Sequence, residues 1–236
     1  YEMSASLVGS EMCIRDRQSL VESNRVDGML LTRALEDDRA LQYLSQANFP
    51  TALTGTCRYD NIIQVDTDNE GAAEKMTTLL IGKGFRRFAF LVKDMSYNVD
   101  RKRHEGFCRA LIKNGISEKD QLFYNGSIRM EFLDAIIENI ISKKVECIIC
   151  GDDEICTMVM SRLQAEGYRI PKDVAIASLY NSTNLDCYSP AVTAVSVAAS
   201  QMGGTAVRQL IQRLRGENYE KKTMLDYDIL FRKSTN

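Results

Sequence analysis

Residues 64–92 constrain the fold more than any other stretch of this sequence. The stretch reads as the end of a strand, an acidic loop, an amphipathic helix, a glycine-bounded turn and a second strand. Asp66, Asp68 and Asn69 are candidate helix caps, because short oxygen-bearing side chains accept hydrogen bonds from free N–H groups. The apolar residues at helical spacing are Ala72, Ala73, Met76, Leu79 and Leu80. Residues 88–92 are apolar throughout, as in strands covered on both faces, so the stretch predicts half of a β-α-β crossover.

The same alternation of strands and helices continues along most of the chain. Further strands are predicted at residues 29–32, 51–54, 61–65, 121–124, 145–150, 174–178 and 225–231. Further helices are predicted at residues 37–46, 101–114, 132–142, 155–166 and 199–215. Strands that alternate with helices in this way favour an α/β fold built on doubly wound parallel sheets.

The charge and the cysteines limit what the chain can do. The formal net charge is −2, and the basic pairs are short and scattered. Nucleic-acid binding by these residues is therefore not expected, because it needs a concentrated basic surface. Seven cysteines, mostly in apolar settings, indicate a reducing compartment. The motif Cys147-Ile-Ile-Cys150 matches a redox or metal pattern, but it reads as a buried strand that points the two thiols to opposite faces.

No catalytic signature is found in the sequence. It contains no G-x-S-x-G elbow, no Walker loop and no G-x-G-x-x-G motif. Asp152, Asp153 and Glu154 follow a predicted strand, where ligands of open α/β sheets collect. They could hold a hard cation, although adjacent acids after a strand more often begin a helix. We therefore expect no enzyme, no metal and no cofactor; an enzyme on a similar fold remains an alternative that turnover of a sugar phosphate or nucleoside would support.

Residues 1–17 show neither the apolar spacing of a helix nor the alternation of a strand. They resemble the peptide encoded when sequencing-adapter DNA is translated by mistake. The alternative is a genuine but irregular N-terminal segment. We expect this segment to be non-native, and the fold prediction excludes it.

Short motifs occur in a fixed order along the rest of the chain. They are VDG at 26–28, VDTDN at 65–69, GFRRFAF at 84–90, RHEGF at 103–107, PKDV at 171–174, PAVTAV at 190–195 and LFRKS at 230–234. Each is weak alone, but together they cover residues 18–236 in one order. This order and spacing resemble the effector-binding domain of LacI/GalR-family transcriptional regulators.

The resemblance implies a two-lobed periplasmic-binding-protein-like fold, each lobe being a doubly wound parallel sheet. The N-terminal lobe is expected at residues 18–66 and 197–224, and to be incomplete. The C-terminal lobe is expected at residues 67–196 and 225–236. The chain would cross between the lobes three times, which makes a hinge. The family's helix-turn-helix is missing from this pattern, so operator DNA would be bound only through that missing domain.

The resemblance also implies a small-molecule site in the cleft between the lobes. Arg103 matches an effector-binding arginine, although a surface salt bridge is the alternative. Asp152 matches a polar residue that hydrogen-bonds the ligand, and Asp153 is expected to cap the next helix. Tyr180 stands where relatives often carry an acid that binds sugar hydroxyls; a tyrosine offers a ring and one hydroxyl instead.

The expected function is the effector-sensing and dimerisation domain of a bacterial LacI-type regulator. Its effector would be a sugar or related metabolite, and the intact protein would be a cytoplasmic homodimer. The sequence contains no apolar run of about 18 residues, so no membrane association is expected. The alternative is an exported sugar-binding protein of an uptake system, which shares the fold.

Overall fold

The computed structural model describes residues 5–8, 14–126 and 130–236. The strands are β1 (Ala5–Val8), β2 (Gly28–Leu31), β3 (Thr51–Thr54), β4 (Ile63–Thr67), β5 (Phe88–Val92), β6 (Leu122–Asn125), β7 (Cys147–Cys150), β8 (Ala175–Ser178), β9 (Thr193–Val197), β10 (Lys222–Leu225) and β11 (Tyr227–Leu230). The α-helices are α1 (Ile14–Glu22), α2 (Arg39–Gln46), α3 (Asn69–Gly82), α4 (Asn98–Lys113), α5 (Met130–Ser142), α6 (Asp153–Ala165), α7 (Thr183–Cys187) and α8 (Ala199–Leu214).

The chain divides into two compact units, and each is built on its own sheet. Unit 1 contains the chain up to Asp68 together with Ser96–Val99 and Ala198–Asp226. Unit 2 contains Asn69–Met95, Asp100–Val197 and Tyr227–Asn236. The predicted α/β fold with parallel sheets is confirmed.

Unit 1 has the strand order β1-β2-β3-β4-β10, and these neighbours pair in parallel. Leu41 and Leu44 of α2 pack on one face of the sheet. Ala206 and Leu210 of α8 pack on the other face. The Asp38 carboxylate starts α2 by accepting the N–H group of Ala40 at 2.9 Å. Helices on both faces make the unit doubly wound.

Strand β1 lies in the segment that the sequence excluded from the fold. Within residues 1–17, positions 1–4 and 9–13 lie outside the described residues, so the non-native origin of the segment stays a prediction. In the described part, Ala5 lies opposite Gly28 in a parallel pairing of β1 with β2.

Unit 2 has the strand order β11-β9-β8-β7-β5-β6, with parallel pairs except for β11, which is antiparallel to β9. Two apolar clusters cover the two faces of this sheet. Cys147 belongs to one cluster and Cys150 to the other, so the two thiols point to opposite faces as predicted. Both thiols are buried, and burial raises the pKa of Cys147. This pair therefore has the character of core residues.

The stretch at residues 64–92 forms the predicted strand, helix and strand, and β5 has the predicted bounds. The prediction is wrong in two details. Asp66 lies within β4, and its Oδ1 accepts the N–H group of Thr67 at 2.8 Å. Leu79 is 37% exposed, whereas Thr77 is fully buried. The helix therefore turns a slightly different face to the core than its apolar residues indicated.

The predicted strand at residues 225–231 contains β11, which begins two residues later than predicted, and the structure adds β10, which was not predicted. β10 pairs with β4 in unit 1, and β11 pairs with β9 in unit 2. The break falls at Asp226, between Leu225 and Tyr227. Both flanking segments have residues that favour strands, so the local pattern does not reveal that they enter different sheets. Strand β9 and the short helix α7 were also not predicted.

Helices α3 and α4 approach closely at Gly106. A Cβ atom at this position would lie 2.1 Å from the carbonyl oxygen of Glu70 and 3.0 Å from the Cβ of Ala73. Glycine is therefore required by the distance between two backbones, since a carbonyl oxygen cannot move aside as a flexible side chain can.

The substitution Gly106→Ala is expected to lower the free energy of unfolding by about 3 kcal/mol, because it overpacks the contact between α3 and α4. Gly82→Ala is the matched control, because a Cβ at the end of α3 would meet nothing within 4 Å. This control should change stability by less than about 1 kcal/mol. Urea denaturation of both variants measures the difference, and equal midpoints would contradict the steric argument.

The C-terminal motif is fixed by hydrogen bonds to the sheet of unit 2. Ser234 is fully buried. Its hydroxyl donates to the carbonyl oxygen of Ile176 at 2.6 Å and accepts the N–H group of Thr193 at 2.8 Å. Ser234 thereby joins the segment that follows β11 to the neighbouring strands β8 and β9.

The substitution Ser234→Ala should destabilise the protein by about 2 kcal/mol, because it leaves the buried N–H group of Thr193 without this acceptor. Ser142→Ala is the control, since its exposed hydroxyl only donates to the carbonyl of Asn139. Thermal unfolding followed by circular dichroism tests the pair. The same melting temperature for both variants would show that the Ser234 hydroxyl has no structural role.

Candidate functional site

The central strands of unit 2 end side by side. β5, β7 and β8 are parallel neighbours that end at Val92, Cys150 and Ser178. Open α/β sheets bind ligands at the carboxyl ends of their strands. We call the turns that follow these three strands the carboxyl edge; its polar side chains include Lys93, Asp152, Tyr180 and Asn181.

Gly151 sets the geometry of the turn after β7. Its N–H group donates to the carbonyl oxygen of Leu91 at 2.7 Å, which continues the pairing of β7 with β5. A Cβ here would lie 2.9 Å from Cγ1 of Val92 and 3.1 Å from the same Leu91 oxygen. The turn can therefore lie against β5 only because residue 151 has no side chain.

Arg103 reaches this turn from helix α4. Its side chain is buried, with the residue 8% exposed, and Nη1 donates to the carbonyl oxygen of Gly151 at 2.7 Å. The alternative of a surface salt bridge does not describe a side chain buried to this degree. A guanidinium is always charged and carries five N–H donors in a rigid fork. The contact with Gly151 therefore fixes a positive charge beside Asp152.

Asp152 performs the role that the sequence assigned to Asp153. Asp152 is the N-cap of α6, and its Oδ1 accepts the N–H group of Ile155 at 2.9 Å. Asp153 is already the first residue of the helix, so the prediction that Asp153 caps it is wrong. The cap needs an extended backbone, which Asp152 has because it follows the strand directly. The carboxylate of Asp152 is thus held in place by the helix that it starts.

Lys93 is a residue of the carboxyl edge that the sequence interpretation missed. Its Nζ lies 2.9 Å from Oδ2 of Asp152 and also pairs with Glu154. Burial lowers the pKa of Lys93, but the hydrogen bonds from Glu154 and Asp152 outweigh it, so the pKa is raised above its usual value. The available signal was a charged residue immediately after the wholly apolar strand β5.

Tyr180 lies at the end of β8 and is partly buried. The hydroxyl of Ser178 donates to the carbonyl oxygen of Tyr180 at 2.7 Å, which fixes the backbone of this turn. The neighbouring Asn181 is held by Arg232, whose Nη1 donates to Oδ1 of Asn181 at 2.9 Å. Arg232 also pairs with Asp186 in α7. The arginine of the closing LFRKS motif therefore positions the loop that carries Tyr180, which the sequence did not indicate.

The described residues contain no group of three or more His, Cys, Asp or Glu side chains placed to hold a metal ion. Among the same residues, no helix is both long and apolar enough to cross a membrane. The carboxyl edge offers hydrogen-bond donors and acceptors, an ion pair and a tyrosine ring.

Comparison with known proteins identifies the domain. The pattern of the periplasmic binding protein-like domain matches residues 77–235. The HTH-type transcriptional regulator CelR of Thermobifida fusca is 27% identical over 215 residues, which are 89% of this chain and 63% of that protein. The chain thus spans less than two-thirds of the length of that relative.

Solved structures show the same likeness. A transcription regulator-like protein from Staphylococcus haemolyticus has a TM-score of 0.85 and 26% identity, over 94% of this chain and 79% of that one. The complex of the transcriptional regulator CelR with cellobiose has a TM-score of 0.82 and 26% identity, over 94% of this chain and 69% of that one. The chain belongs to the periplasmic binding protein-like domain family, in the form that LacI/GalR-family transcriptional regulators carry.

Proposed function

We propose that this chain is the effector-sensing and dimerisation domain of a bacterial LacI-type transcriptional regulator. Its effector is a small molecule, a sugar or related metabolite, bound at the carboxyl edge of unit 2 by Arg103, Asp152 and Tyr180. The observation that carries the proposal is the buried guanidinium of Arg103, held on the Gly151 carbonyl beside Asp152.

Each of the three side chains contributes a different property. Arg103 supplies positive charge and directed N–H donors, and its contact with Gly151 removes much of its freedom before a ligand arrives. Asp152 supplies carboxylate oxygens that accept hydrogen bonds from hydroxyl groups. Tyr180 supplies a ring that can stack on the apolar face of a sugar, together with one phenolic hydroxyl. The arrangement suits a ligand rich in hydroxyl groups.

The comparisons support a regulator rather than the alternative, an exported sugar-binding protein of an uptake system. The relative CelR is named as an HTH-type transcriptional regulator. One of the similar solved structures is a complex of the transcriptional regulator CelR with cellobiose. We propose that the intact protein is a cytoplasmic homodimer that contacts operator DNA through a helix-turn-helix domain. The net charge of −2 gives this chain little overall attraction to DNA, and we propose no catalytic function for it.

The first test measures effector binding by the purified chain. A sugar that binds the folded state should raise the melting temperature in a concentration-dependent way. Arg103→Lys should weaken that binding about tenfold or more, because lysine keeps the charge but loses the planar fork that Gly151 orients. Arg109→Lys is the matched control on the same helix, because Arg109 is exposed and pairs with Glu70 and Glu74. Equal weakening by both variants would contradict the role of Arg103.

The second test uses the full-length regulator in a reporter strain. Arg103→Ala should abolish the response to effector and leave operator binding intact, because the residue lies in the sensing domain. An operator mobility-shift assay measures DNA binding, and a reporter titration measures the response. A variant that still responds at the wild-type effector concentration would refute the assignment.

A further inference from the structure

Lys93 is a charged side chain of the carboxyl edge to which the proposed function gives no role. It is the first residue after β5, and its side chain is 27% exposed. Its ammonium group contacts Asp152 at 2.9 Å and Glu154 across the start of α6. A lysine in this position brings a hydrogen-bond donor next to Asp152, the carboxylate that we propose binds the effector.

The ion pair is not the only interaction that holds the Asp152 carboxylate. The Asp152 carboxylate caps the N-terminus of α6 and accepts the N–H group of Ile155. The free N–H groups at a helix N-terminus already stabilise a negative charge there. A partly exposed ion pair adds little to stability. The arrangement of Lys93 therefore points to a role other than holding the fold together.

Both members of the pair retain hydrogen-bonding capacity. An ammonium group has three N–H donors, and Asp152 and Glu154 take two of those of Lys93. A carboxylate can accept about four hydrogen bonds. The structure gives Asp152 two, from Ile155 and Lys93. A donor and an acceptor therefore remain side by side, about one hydrogen-bond length apart.

The balance of charge at this point disfavours an anionic ligand. Two cations, Lys93 and Arg103, lie beside the carboxylates of Asp152 and Glu154. Asp94 and Asp153 follow in the same two turns, so the charges there are not net positive. An anion placed against Lys93 would meet both carboxylates at short range, and like charges repel strongly when partly buried. A neutral ligand incurs no such repulsion.

We propose that Lys93 and Asp152 act together as the specificity-determining contact for a neutral polyol with adjacent hydroxyl groups. Lys93 donates to one hydroxyl oxygen, and Asp152 accepts from the hydroxyl on the next carbon. Each hydroxyl group is both donor and acceptor, so a vicinal diol matches an ion pair that offers one of each. This inference depends on the proposed effector site and assigns its substrate class.

The test compares matched pairs of sugars that differ by one anionic group. The probes are cellobiose and cellobiose 6′-phosphate, glucose and glucose 6-phosphate, and ribose and ribose 5-phosphate. Melting temperatures of the purified chain identify which probes bind, and calorimetry then measures Kd. We expect binding by a neutral member and at least about tenfold weaker binding by its anionic counterpart.

Variants then assign the effect to Lys93. Lys93→Met should weaken binding of the neutral sugar about tenfold to a hundredfold, because it removes a charged donor. Lys93→Arg should bind more tightly than Lys93→Met, since it restores a charged donor. Lys113→Met is the control, because Lys113 also pairs with a carboxylate, that of Glu74, on the exposed face of α4. Its Kd should equal that of the wild type.

The outcomes separate this inference from the proposed function. Tighter binding of the anionic sugars, or an unchanged Kd for Lys93→Met with a normal melting temperature, would overturn the role of Lys93 while the effector site stands. Binding of neither member of any pair would contradict the effector site itself and this inference with it.

Discussion

The parallel pairing of β5 with β7 determines where the polar side chains of unit 2 lie. Its register places Leu91 opposite Cys150, and Gly151 extends the ladder by donating to the Leu91 carbonyl. Asp152 therefore caps α6 just after the end of β7. Lys93 follows the end of the neighbouring strand β5, which brings it next to Asp152. Backbone hydrogen bonds position this edge, so its side chains do not have to position one another. The strands behind it are fully buried, and a shift of the edge would open a close-packed core.

The edge also explains how a charged group can lie beside an apolar core. Burial removes water from the guanidinium of Arg103, and a strong hydrogen bond to the Gly151 carbonyl replaces one of the lost contacts with water. Asp152 is stabilised by the N-terminus of α6, and Lys93 is stabilised by two carboxylates. Each charge thus has a partner that belongs to the backbone or to a neighbouring turn. Removing one partner costs more than the pair contributes, because the remaining charge is left partly desolvated.

The sequence predicted what depends on local patterns and missed what depends on distant contacts. β5 was predicted with its observed bounds, because five consecutive apolar residues have few alternatives in an α/β chain. Arg103 and Asp152 were found through a motif, and the structure places them at one turn. Lys93 and Arg232 were missed, because their importance comes from residues that lie about sixty and fifty positions away in the chain. β10 was missed because strand propensity alone does not identify an edge strand of four residues.

The pairing of β10 with β4 has a consequence for the order in which the chain acquires its structure. β4 leaves the ribosome early, but its partner in unit 1 follows only after almost all of unit 2 has been synthesised. Until then, β4 presents an open strand edge, which is a template for incorrect pairing. Unit 2 takes the edge strand β11 and the contacts of Arg232 and Ser234 from the segment that follows β10. During synthesis, Lys93, Arg103 and Asp152 can therefore be in place before β10 pairs with β4, whereas Arg232, which holds the loop of Tyr180, follows later. Contacts that link distant parts of the chain are the slow ones to form.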